Sequence, residues 1–199
     1  MTAKDDLARI AAALRRPGPP SSDYDLNADI QLPPTRKLRH AAVLVPLIET
    51  GSGFQILLTK RSHALKMHPG QIAFPGGKQD PTDPTLTATA LREAREETGL
   101  PETHVDLIGE MPPHETVTGF TVTPIIGHVT APFDPIPEPG EVDEIFRVPL
   151  THATDPANFR IEARQWQGKP RHFYTVPYGP YYIWGATARI LRALAERLS

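Results

Sequence analysis

The chain has no cysteine among its 199 residues, which excludes a disulfide framework and a thiol nucleophile and fits a reducing cytoplasm. Long apolar runs are missing as well. Ala11-Ala12-Ala13-Leu14 is short and bounded by charge, so neither a signal peptide nor a membrane span is expected. Nor is there an excess of charge of one sign: 21 Lys and Arg against 23 Asp and Glu leave a formal net charge of −2, which argues against a generic attraction to nucleic acid. The expectation is a soluble, cytoplasmic protein without nucleic-acid or membrane partners. A polyanionic substrate would have to be met by local positive charge and metal.

Proline is plentiful, with 23 residues, and it punctuates the chain. Leu7, Ile10, Ala11 and Leu14 stand at helical spacing over residues 3–15, and Pro17-Gly18-Pro19-Pro20-Ser21-Ser22 ends that helix. The helix packs on the body or on a second subunit, which leaves a homodimer open. An irregular segment follows to Pro33-Pro34, so the expected division is an N-terminal extension over 1–34 and a main domain over 35–199. Residues 41–47 and 54–59 read as strands flanking the Glu49–Gly53 turn, a central hairpin. Further strands are expected at Val105–Glu110 and at Phe120–Thr130, the latter interrupted by Pro124. Residues 131–140 are a stiff exposed loop. A second hairpin over Phe159–Trp166 and His172–Val176, turning at Gln167–Pro170, precedes a closing helix from about Ile183 to Leu198. This order predicts an α+β architecture, a mixed sheet sandwiched between helices.

The chemistry concentrates in Arg92-Glu93-Ala94-Arg95-Glu96-Glu97-Thr98-Gly99-Leu100. A helix begins after Pro81-Thr82-Asp83-Pro84 and stops at Gly99, a natural C-cap. At about 100° per residue, Glu93, Glu96 and Glu97 share an arc of roughly 100°, while Ala90, Leu91, Ala94 and Thr98 point toward a core. Those glutamates lie near the negative helix pole, where each costs on the order of 0.3–1 kcal/mol. Glu93 and Glu97 also repel one another one turn apart. Arg92 and Arg95 on a solvated face are one remedy; a hard divalent cation, which selects carboxylate oxygens, is a stronger one.

This segment resembles the signature of the Nudix hydrolases, a loop-helix-loop in which Gly, an acidic residue, Arg-Glu, Glu-Glu and a final Gly-apolar pair recur. Arg92, Glu93, Glu96, Glu97 and Gly99 match. The upstream acid is Asp83, separated from Arg92 by eight intervening residues, where the family pattern has Glu and seven. Leu57-Leu58-Thr59-Lys60-Arg61-Ser62, Lys66, Gly70 and Phe74-Pro75-Gly76-Gly77 resemble the extra motif of the coenzyme A pyrophosphatase branch, with Lys66 where Arg is usual.

The resemblance implies an α/β/α Nudix sandwich and Mg²⁺ or Mn²⁺ as cofactor. It also implies hydrolysis of coenzyme A, or a derivative such as a thioester, to 3′,5′-ADP and 4′-phosphopantetheine. Glu93, Glu96 and Glu97 would hold metal, with Glu96 also a catalytic candidate. Gly76 and Gly77 would let backbone approach the phosphates, and Arg61 and Lys66 would contact them. Glu141, ahead of Glu144, is the candidate general base. ADP-ribose, dinucleotides or nucleoside triphosphates are the alternative substrates. A non-catalytic binding protein on the same scaffold is the alternative class, although it would predict broken ligand positions. His63 and His68 read as loop residues without metal-ligand spacing; Tyr178, Tyr181, Tyr182 and Trp184 could stack adenine or line a pantetheine channel, but aromatics ahead of a helix are more often core, which is the reading adopted.

Overall fold

The computed structural model describes residues 3–30, 35–166 and 168–199; Pro33-Pro34, where the N-terminal extension was expected to end, and Gln167 lie outside the described residues. After α1 (Ala3–Arg15) and a two-residue strand β1 (Ser21–Ser22), the chain builds the hairpin β2 (Arg39–Thr50) and β3 (Gly53–Arg61). Short strands β4 (Ile72–Ala73) and β5 (Gly76–Lys78) lead to α2 (Leu86–Thr98). Then come β6 (Val105–Glu110), β7 (His114–Glu115), β8 (Phe120–Val129) and β9 (Val142–Pro149). A single turn, α3 (Leu150–Ala153), precedes the hairpin β10 (Arg160–Trp166) and β11 (Lys169–Thr175), and α4 (Gly185–Leu198) follows.

Among the described residues, nine strands form one mixed sheet and β10–β11 stands apart as a two-stranded one. β2 is the hub. It runs parallel to β8 from Arg39 to Ile48, and antiparallel to β3 at one end and to β5 at the other. Its side chains alternate between two cores. Ala42 and Leu44 join Ala90 and Ala94 of α2 on one face, while Val45 and Leu47 join Ile10 of α1 and Leu191 of α4 on the other. A strand buried on both faces must be apolar throughout, which is why Ala41–Leu47 reads as a continuous run and not as an alternation. The expected sandwich is therefore what forms, and α1 packs on the body, against β6 and α4.

Three local expectations need correction. β8 is not interrupted at Pro124, whose carbonyl accepts the Met111 N–H at 2.9 Å where β6 gives way to β7. A residue's N–H and C=O lie on the same strand edge, so the missing donor falls in that gap. The second hairpin turns more tightly than expected: Trp166 pairs with Lys169 and Gln165 with Pro170. Proline is tolerated there because both strands of a two-stranded sheet are edges. The closing helix starts at Gly185, because Ile183 is still extended and accepts the Val176 N–H at 2.9 Å.

Candidate functional site

α2 is fixed at both ends before its acid is placed. Thr85 caps the start, its hydroxyl accepting the Ala88 N–H at 3.1 Å, and Gly99 ends the helix at φ 72. Asp83 clamps the first turns. Arg92 donates to both its oxygens, at 3.0 and 2.8 Å, and the Thr89 hydroxyl and the Asp80 N–H add bonds of 3.0 Å each. The Arg92 guanidinium holds the Asp83 carboxyl well below the usual carboxylate range. The extra residue before Arg92 thus leaves this bidentate pair intact. At the far end the proline-rich loop docks on the helix. Ile136 N–H reaches the Thr98 carbonyl at 3.0 Å and Glu138 N–H the Glu97 carbonyl at 3.2 Å, satisfying carbonyls that a helix terminus leaves orphaned.

The three glutamates are not equivalent, contrary to a single acid face. Glu97 is only 6% exposed and belongs to the buried side of α2 with Ala90, Ala94 and Thr98. Its carboxylate accepts the Gly76 N–H at 3.2 Å. Burial pushes its pKa up to about 8, with that hydrogen bond and the Arg61 charge opposing the rise and Glu93 and Glu141 adding to it. Glu93 is raised by burial too, against the pull of Arg92. Gly77 lies so close beneath it that an added Cβ would stand 2.5 Å from the Glu93 carboxyl carbon. Glu96 is the outlier: its side chain is 50% exposed and accepts a 2.9 Å bond from Arg92, which also reaches Glu93 at 3.0 Å.

The remaining candidates divide in the same way. Arg61 and Glu141 stand within electrostatic reach of Glu97, and the Glu141 carbonyl accepts the Ser62 N–H at 2.8 Å, tying the two segments. Glu144 is engaged elsewhere, its carboxylate accepting the Tyr181 hydroxyl, whose ring stacks on Phe146 at 3.6 Å. Lys66 is exposed on the loop after β3 and makes no ion pair among the described residues. On that loop His63 donates its Nδ1–H to the Asp143 carboxylate at 2.6 Å, as a loop residue would.

Among the described residues, no three His, Cys, Asp or Glu side chains stand at coordinating distance. The donor set nevertheless fits a hard cation. It consists of carboxylate oxygens; one member is buried with a single N–H partner, and Gly77 leaves room against another. Glu93 and Glu97 are the residues that would hold it.

Beside this cluster opens a cavity of about 390 Å³ lined by Arg61, Phe74, Arg164, Arg171, Phe173 and Trp184. Arg164 and Arg171 come from β10–β11 and were not singled out from the sequence, and Trp184 was read as core. A signal was present: Arg164-Gln165-Trp166 and Arg171-His172-Phe173 repeat one Arg-x-aromatic pattern on two strands that pair.

Comparison with known proteins places this arrangement. The family described as NUDIX domain matches residues 38–169. "Uncharacterized Nudix hydrolase NudL" of Photorhabdus laumondii is 39% identical over 182 residues, 89% of this chain and 97% of that protein. The protein of the same name from Enterobacter sp. is 41% identical over 160 residues, 80% of this chain and 83% of its own. Among solved structures, the Nudix hydrolase RenU of M. smegmatis aligns at TM-score 0.49 and 24% identity, covering 57% of this chain and 72% of that one.

Proposed function

The chain belongs to the Nudix family of pyrophosphate-bond hydrolases, and within it we propose that it cleaves coenzyme A, or a thioester of it, to 3′,5′-ADP and 4′-phosphopantetheine. The observation that supports this most is the position of Arg61. It lies on the Leu57–Gly77 segment that resembles the coenzyme A branch, its charge reaches the Glu97 carboxylate, and it lines the adjoining cavity. A pyrophosphate gripped there has its reacting end at the carboxylates and its nucleoside in the cavity.

Nudix hydrolases generally use Mg²⁺ or Mn²⁺, and the bound ion would screen phosphoryl oxygens and lower the pKa of a water. In this reading Glu93 and Glu97 hold the ion, and Glu96, tied to Arg92 here, is the third carboxylate of the set. Gly76 and Gly77 keep the backbone close beneath them. Arg61 donates two in-plane N–H groups to phosphate oxygens. Glu141 accepts a proton from the attacking water, which adds its oxygen to phosphorus as the other phosphate leaves. Glu144 ranks behind it, because its carboxylate already accepts from Tyr181.

The test compares kcat/KM on coenzyme A, 3′-dephospho-coenzyme A and ADP-ribose, with product masses. Coenzyme A should be preferred and give 3′,5′-ADP. A clear preference for ADP-ribose, a dinucleotide or a nucleoside triphosphate overturns the assignment.

A further inference from the structure

The β10–β11 hairpin carries an electrostatic arrangement that folding alone does not explain. Arg164 and Arg171 are direct register partners across an antiparallel pair, so both side chains leave the same face, and like charges set directly opposite one another are destabilising. Arg171 is partly answered by Asp23 at 3.6 Å. That carboxylate is shared, however: it accepts the Val117 N–H at 2.9 Å and lies 3.3 Å from His114 Nε2. Among the described residues the Nε of Arg171 is buried without a hydrogen-bond partner, as is the Nε of Arg61, which lines the same cavity.

Arg164 forms no salt bridge among the described residues. The carboxylate nearest in sequence, Glu162, already accepts the Tyr182 hydroxyl at 2.6 Å and the Thr175 hydroxyl at 3.2 Å. The Arg164 guanidinium instead lies over the Trp184 ring at 4.7 Å, with Phe173 at 5.7 Å. Stacking uses the face of a guanidinium and leaves its in-plane N–H donors free for a bidentate oxyanion. The hairpin therefore presents two opposed positive charges to a cavity that Arg61 also lines; Arg164, stacked on Trp184 and beside the Tyr182 hydroxyl, has no carboxylate partner among the described residues.

We propose that Arg164 and Arg171 bind a phosphomonoester on the nucleoside of the substrate, namely the 3′-phosphate of the adenosine end, while Arg61 serves the pyrophosphate. The inference rests on the coenzyme A reading and deepens it. The enzyme then selects a nucleotide with two separate anionic points, and a substrate with the pyrophosphate alone leaves Arg164 without an anionic partner.

Calorimetric binding of 3′,5′-ADP and 5′-AMP without divalent metal isolates the 3′-phosphate from turnover. The wild-type protein should prefer 3′,5′-ADP by roughly ten- to a hundredfold, the scale of a charge-assisted contact. Arg164→Ala should erase most of that preference, and Arg164→Lys should restore only part. A merely structural arginine would lower the melting temperature when removed; relief of the opposed charge should leave Tm for Arg164→Ala unchanged or raised. Equal binding of both nucleotides by the wild type, or an undiminished preference in Arg164→Ala, overturns the proposal. Preference for 3′,5′-ADP with turnover confined to ADP-ribose would overturn the coenzyme A reading and leave the phosphate site standing.

Discussion

Two walls flank the proposed substrate site, an acidic one formed by the α2 carboxylates beside the cavity and a basic one formed by the β10–β11 arginines that line it, and they place charge by opposite means. On the acidic wall, α2 sits between the sheet and the loop at 131–140, and Glu97 is forced into the buried face of a helix held at both ends. On the basic wall, β10–β11 is a two-stranded sheet outside the main one, and its arginines lie on aromatic faces at an exposed flap. Asn27 tethers that flap, accepting the His172 N–H at 2.8 Å and donating to the His172 carbonyl at 2.9 Å. Charges needed for bond cleavage tolerate little displacement and are placed by rigid layers. Charges that select a substrate sit on an element that a few hydrogen bonds position.

The largest expected effect lies on the acidic wall. Glu97→Gln keeps shape and helix propensity but removes an anionic oxygen, so turnover should fall by orders of magnitude at limiting Mg²⁺. Because the wild-type carboxylate is buried, the melting temperature of the metal-free variant at pH 8 should not fall. Near-normal turnover would break the contrast between the walls at its strong end.

Arg61→Ala probes the junction. Losing one charge-assisted contact, about 1.5–3 kcal/mol, should lower kcat/KM roughly ten- to a hundredfold on coenzyme A and on its 3′-dephospho form alike. A loss confined to coenzyme A would move Arg61 to the basic wall and merge the two regions.

The acidic wall should also show itself in the pH dependence of stability without metal. The Glu97 carboxyl is pushed up to about 8 in the fold from an ordinary 4.5. Between those values the folded chain keeps a proton that the unfolded chain has lost, so stability falls as pH rises through that window. Thermal melts from pH 5 to 8 should show Tm falling by several degrees, less so in Glu97→Gln. Identical slopes would mean that burial at Glu97 is relieved in solution.

The smallest effect is expected at the tether. Asn27→Ala removes both bonds to His172, which should cost about 1–2 kcal/mol of stability and raise KM a few-fold with kcat nearly kept. A fall in kcat instead would show that the hairpin takes part in the chemical step.

The sequence alone determined what depends on neighbours along the chain. The bounds of α2 follow from Thr85, the Pro81–Pro84 turn and Gly99. The β2–β3 hairpin and the strand at Val105–Glu110 follow from apolar runs between turn residues. Arg92, Glu93, Glu96 and Glu97 were legible as a group because a signature keeps its spacing. Only the tertiary structure decided how that group divides. A helical wheel assigns Glu96 and Glu97 to one face, yet the Pro75–Gly77 segment covers one of them and Arg92 takes the other, because burial is set by what packs against a side chain and not by its angle on the helix. The same holds for Pro124, harmless where β6 has ended. It holds for Arg164 and Arg171, seven residues apart in sequence, which become opposed charges only when a tight turn sets the register of their strands.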